Sequence, residues 1–264
     1  MKASVLISEP SFCGPKDDAL TLAGVGASAF VSAMLVHEAL GHAGVSALLR
    51  EAAVVYPAWT QSASSDARMV AAGPLANLAA GGALLWASSR ILPGAGRLFV
   101  WLAAAFNLLN FAGYLLLGAA ANFGDWAALL APAKPGTVFR VGLAAGAALL
   151  YYAFARALAA TGAGYLGPAR GRRLTVVPWA AAGAVACAAA AVSAQGFLPV
   201  AVAATASLAA GVALPAMHDW GRLHPERAAE PPVARSGAWI AFSLALVAFF
   251  VLIVGRGLHI PGRA

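Results

Sequence analysis

Charge is scarce in this sequence. Only 10% of its 264 residues are Asp, Glu, Lys or Arg, whereas 61% are hydrophobic and the mean hydropathy is +0.79. That shortage excludes a soluble globular domain, which needs far more polar surface, so the solvent for most of the chain is lipid. Cysteine is scarcer still. Cys13 in the N-terminal stretch and Cys187 in an apolar run do not make a disulfide framework. The opening MKASVLISEPSFCGPKDD has no long apolar core leading to a cleavage site. It therefore reads as a tail without a removable signal, and the first hydrophobic helix directs insertion. An internal repeat is also missing, which leaves one membrane domain as the simplest partition.

What is present is a succession of Ala-, Leu-, Val- and Gly-rich runs, each near the roughly 20 residues that cross a bilayer as helix. Candidate spans lie at 19–48, 69–89, 97–121, 138–160, 174–195, 198–217 and 237–258. Only Gln195-Gly196-Phe197 separates the fifth from the sixth, so six or seven spans are compatible with the pattern. The expected fold is an all-α, polytopic transmembrane helix bundle. Its small residues suit close helix packing in lipid. Residues 1–18 form the tail, 19–126 a three-helix region that carries the polar motifs, and 127–264 the additional helices.

A net charge of +7 and a pI near 10.0 could suggest a nucleic-acid partner. The basic residues instead sit in short loops between spans, where they meet lipid headgroups and set topology. The expected partner is the bilayer, with no nucleic acid. Seven spans put Lys2, Lys16, Arg90, Arg97, Arg156, Arg170, Arg172, Arg173, Arg222, Arg227 and Arg235 on the N-terminal side. Arg50, Arg68, Lys134, Arg140, Arg256 and Arg263 fall on the other. Eleven against six favours an inside N-terminus.

Three polar clusters interrupt the apolar runs. VHEALGH places His37, Glu38 and His42 in the second half of the first span. AAGPLANLAA brings Gly73, Pro74 and Asn77 near the start of the second, and the third carries FNLLN before ending in ANFGDW with Asp125. Alternation of spans sends His37, His42, Asn77 and Asp125 toward one membrane face. Ionisable groups inside a span are costly and mark function by default. A histidine pair four apart shares a helix face, about 40° apart, and can bind zinc; five apart in a regular α-helix gives about 140°. A π-bulge with near 4.4 residues per turn reduces the angle to roughly 50°, and Gly41 eases such a distortion. The expectation is therefore a widened helix through Val36 to Ala43, with ligating nitrogens about 3.3 Å apart.

Residues 30 to about 126 resemble the site-2 protease family of intramembrane zinc metalloproteases. The resemblance rests on VHEALGH for the H-E-x-x-H helix, Gly73-Pro74-Leu75-Ala76-Asn77 for a G-P-x-x-N element, and FNLLN for an F-N-L-x-P stretch. The chain departs from the family pattern in three places. Its histidines are five apart, Asn110 replaces proline, and Asp125 lies further downstream and precedes Trp126 instead of glycine. The resemblance implies a Zn²⁺ cofactor held by His37, His42 and Asp125, with Glu38 as catalytic base. It further implies Asn77 and Gly73 at the substrate or the developing oxyanion, and a transmembrane protein segment as substrate.

Other features keep alternatives open. AVVYPAW, from Ala53 to Trp59, reads either as a re-entrant strand able to pair with extended substrate or as an interfacial loop anchored by Tyr56 and Trp59. Asp125-Trp126 is a ligand site or an interfacial turn. Asn107, Asn110 and Tyr114 follow helical spacing and face the bundle interior. MHDWGRLH, with His218, Asp219 and His224, emerges on the opposite face and reads as an interfacial loop. Competing functions are a cation or proton transporter and an inactive relative that binds or assembles; zinc content separates these classes. The compact, Ala-rich composition resembles that of a prokaryotic cell-membrane protein.

Overall fold

The computed structural model describes residues 16–62, 66–166, 170–224 and 229–262; Cys13, Lys2, Arg227 and Arg263 lie outside them. Among these residues seven helices are long and apolar enough to cross a membrane: Ala19–Leu48, Ala67–Ser88, Ala95–Ala121, Thr137–Thr161, Gly171–Ala191, Phe197–Leu223 and Gly237–Arg256. The protein is an all-α polytopic bundle. The break at Gln195-Gly196-Phe197 is a true turn, with Gly196 at φ +87, so the fifth and sixth spans are separate.

The first span is composite. It begins as α1 (Ala19–Leu35), capped by the Asp18 carboxylate accepting from the Thr21 amide, and ends as α2 (Gly44–Leu48). Between them Val36–Ala43 winds as a π-helix. The second span is α3 (Ala67–Ser88) and the third is α4 (Ala95–Ala121), the most enclosed of the set. A short helix, α5 (Asp125–Leu130), follows the third span, and the fourth is α6 (Thr137–Thr161). The fifth is α7 (Gly171–Ala191). The sixth joins α8 (Phe197–Ala210), α9 (Ala213–Ala216) and a 3₁₀ segment to Leu223. The last begins as α10 (Gly237–Ala248).

Glycine decides where the helices meet. A Cβ on Gly26 would run into Pro178, so α1 and α7 cross there backbone to backbone. Gly41 of the π-helix lies against Gly73 of α3, where a Cβ would stand 2.6 Å from the Gly73 Cα. Lipid offers no hydrophobic drive between helices, and such close approach supplies the packing energy instead. Large apolar side chains such as Leu40, Leu75, Trp86 and Val138 point outward.

Contacts between loops show that the spans alternate. At one end Arg170 grips the Asp17 carboxylate at 2.6 and 2.9 Å, Arg97 meets Glu230 at 2.6 Å, and the Asp18 amide donates to the Val233 carbonyl. Burial works against the Asp17 carboxylate, yet the Arg170 hydrogen bonds and the Val233 amide hold its pKa below the usual range. At the other end β1 (Ala53–Tyr56) pairs antiparallel with β2 (Trp59–Ser62) and with β3 (Leu258–Ile260), in the order β2-β1-β3. The stretch from Ala53 to Trp59 is thus a strand and a turn, and β1 is flanked on both edges by the protein's own strands. The span expected over 237–258 ends two residues earlier, at Arg256, because Gly257 at φ +99 turns the chain into β3.

Candidate metal centre

Widening of the first span brings its two histidines together. Their rings meet edge to face with centroids 4.8 Å apart, and the two Nε2 atoms lie 3.2 Å from one another. The expected π-bulge is therefore present, and the imidazoles share a face. The third partner arrives from beyond the third span. Asn122 in the left-handed conformation and Gly124 at φ +78 turn the chain back, so that Asp125 opens α5 facing the histidines. Asp125 Oδ2 lies 3.0 Å from His37 Nε2 and 3.5 Å from His42 Nε2.

Edges of 3.0, 3.2 and 3.5 Å match the roughly 3.3 Å separation of donors around a tetrahedral ion with bonds of 2.0–2.1 Å. His37, His42 and Asp125 form the group of His, Cys, Asp or Glu that can hold a metal ion among the described residues. The neighbours of the rings agree with that use. His42 Nδ1 is 2.8 Å from the Met69 carbonyl, which can only accept, so the proton sits on Nδ1 and Nε2 keeps its lone pair. His37 Nδ1 is 3.0 Å from the Asn77 amide, whose Oδ1 has no partner among the described residues. Turning that amide end for end lets Oδ1 accept from Nδ1–H and frees His37 Nε2 as well.

Two further residues of the sequence pattern, Asn77 and Gly73, also meet the histidines. Asn77 was expected at the substrate or oxyanion, but it is fully buried against His37 and does not line the cavity beside the cluster. An amide paired to a ring nitrogen orients the ring. Gly73 likewise faces the rings: a Cβ there would strike His42 Nε2 and stand 2.9 Å from His37 Nε2. Its contribution is space for the histidine pair.

The cluster opens onto a cavity of about 420 Å³ walled by His37, Glu38, His42, Thr60, Tyr114 and Asp125. Trp59 stands at its rim, 59% exposed. Glu38 is buried, and its carboxylate accepts a 2.8 Å hydrogen bond from the Thr60 hydroxyl of β2. Thr60 had no signal in the sequence, because its partner comes through hairpin geometry. Asn107 and Asn110 are buried in the bundle as their spacing suggests. Tyr114 hydrogen-bonds Ser207 and also reaches the cavity. His218 and Asp219 pair at 3.4 Å, and their 3₁₀ segment packs on Ala163, Leu166 and Gly171 at the opposite end. No protein-family model, curated protein or solved structure matches this chain.

Proposed function

We propose that the protein is an intramembrane zinc metalloprotease of the site-2 protease type, hydrolysing peptide bonds in transmembrane segments of other membrane proteins. The observation that carries the reading is the His37–His42–Asp125 triangle, set beside a buried carboxylate in a cavity among apolar spans. Two neutral imidazoles and one carboxylate are a donor set that suits Zn²⁺ with one position left open. Bound zinc supplies Lewis acidity, bringing the pKa of a nearby water toward neutrality. Glu38, on the cavity wall, would be the group that takes a proton from the attacking water and gives it to the leaving amine. The Met69 carbonyl and Asn77 keep the two rings in their ligating orientation. The outer edge of β2, next to Glu38, is suited to an extended substrate strand, because a helical segment must unwind before its carbonyl is accessible. The composition suits a prokaryotic cell membrane.

A transporter would need polar groups distributed across the bilayer, whereas this cluster is gathered toward one face. Zinc retained by the purified protein after dialysis against a chelator tests the centre. His37→Ala and Asp125→Ala should lose it, while Asp219→Ala should keep it. Equal retention in all three would remove the proposed ligands. Glu38→Gln should retain zinc yet abolish cleavage of a reconstituted transmembrane peptide, and near-normal turnover would remove Glu38 as the base.

A further inference from the structure

The hydroxyl of Thr60 meets Glu38 twice, its Oγ1 lying 2.8 Å from Glu38 Oε2 and 3.1 Å from the Glu38 carbonyl oxygen. Both acceptors belong to the π-helical segment that carries the histidines, and the donor belongs to a different element, strand β2. A glutamate has three side-chain torsions and holds a single pose only when something outside its own helix fixes it. Thr60 does so at a buried site, where a hydrogen bond to a carboxylate is stronger than between neutral groups.

Strand β2 is itself held at both ends of its reach. Its four residues pair with β1 in register from Ala53↔Ser62 to Tyr56↔Trp59. Ser62 Oγ donates to Glu51 Oε2 at 3.1 Å and Ser46 Oγ donates to Ser62 Oγ at 3.3 Å, tying the strand back to the end of the first span. Thr60 therefore approaches Glu38 from a braced position.

We propose that Thr60 is a positioning residue for the general base, fixing the Glu38 carboxylate toward the metal cluster and linking it to the strand that borders the cavity. The role rests on the proteolytic reading above, but the contact itself does not. Thr60→Val keeps the shape and removes the donor, while Thr60→Ser restores it. In the metal-free protein, the infrared carboxyl band identified by its loss in Glu38→Gln should shift in Thr60→Val and return in Thr60→Ser. With zinc loaded and a reconstituted transmembrane peptide as probe, Thr60→Val should lower kcat by about 10- to 100-fold, with KM and zinc content within about twofold of wild type. Thr60→Ser should recover most of that loss. An unmoved band in Thr60→Val would overturn the contact. A moved band with unchanged kcat would overturn the positioning role alone. A moved band with no cleavage by zinc-loaded wild type would overturn the proteolytic reading and the catalytic role with it, leaving the contact standing.

Discussion

At the scale of single residues, the candidate metal centre depends as much on side chains that are missing as on those present. Gly41 and Gly73 let α3 press against the π-helix, and the volume a methyl group would take at Gly73 is already filled by the two imidazoles. Gly73→Ala should therefore displace the rings and cut zinc affinity by about 10- to 100-fold, as expected when the support behind ligands is disturbed. Equilibrium dialysis checks this, with Gly82→Ala as control, since Gly82 has open space around it. The histidines, the glutamate and their spacing problem were all legible in VHEALGH. The role of Gly73 was not, because a missing Cβ leaves no pattern to read until its neighbours are in place.

Among elements, the sheet at the cavity end depends on a strand from the far end of the chain. A two-stranded hairpin is marginally stable in water, whereas a third strand gives β1 partners on both edges. Gly257 makes that possible: at φ +99 it turns the last span into β3, and a Cβ would come within 2.9 Å of both Tyr56 and Val54. Gly257→Val should detach β3, since a branched residue is strained at that φ and also lacks space. Amide exchange at Ala53–Tyr56 should then accelerate by at least about tenfold, while exchange in α4 stays unchanged. Protection of β1 equal to that in wild type would show that the hairpin stands without β3. The apolar and β-branched character of 53–56 made a strand one of two readings, beside an interfacial loop, but its partner β3 lay some two hundred residues away and left no local trace.

On the scale of the whole molecule, the two ends of the bundle are built differently, an ionic network at one and a sheet with the His37–His42–Asp125 cluster at the other. The Asp17–Arg170 pair closes the ionic end. A carboxylate whose pKa is lowered by folding stabilises the protein fully above its unfolded pKa of about 3.9, and the benefit disappears as pH falls through the lowered value. Asp17→Asn should lower the apparent unfolding temperature in detergent by roughly 5 °C at neutral pH. Its difference from wild type should shrink toward zero as the pH falls through the lowered pKa of the Asp17 carboxyl. Zinc retention should be untouched, because Asp17 lies at the end opposite the metal cluster. A difference that stays constant with pH would show that the charge of Asp17 is not what stabilises this end.

The sequence by itself determined the solvent, the fold class, the approximate spans and the face on which the polar residues gather. Each of these follows from composition and period, which are local and additive along the chain. It also indicated that the first span must widen, since a regular helix turns His37 and His42 apart. Only the tertiary structure decided that Asp125 reaches the histidines, through a left-handed Asn122 and a glycine turn that extend the path from the third span. It alone set Asn77 against His37 Nδ1, joined β3 to β1, and set Thr60 against Glu38. These are contacts between distant segments, made or forbidden by distances of a few tenths of an ångström, and no pattern along a single strand of sequence carries that information.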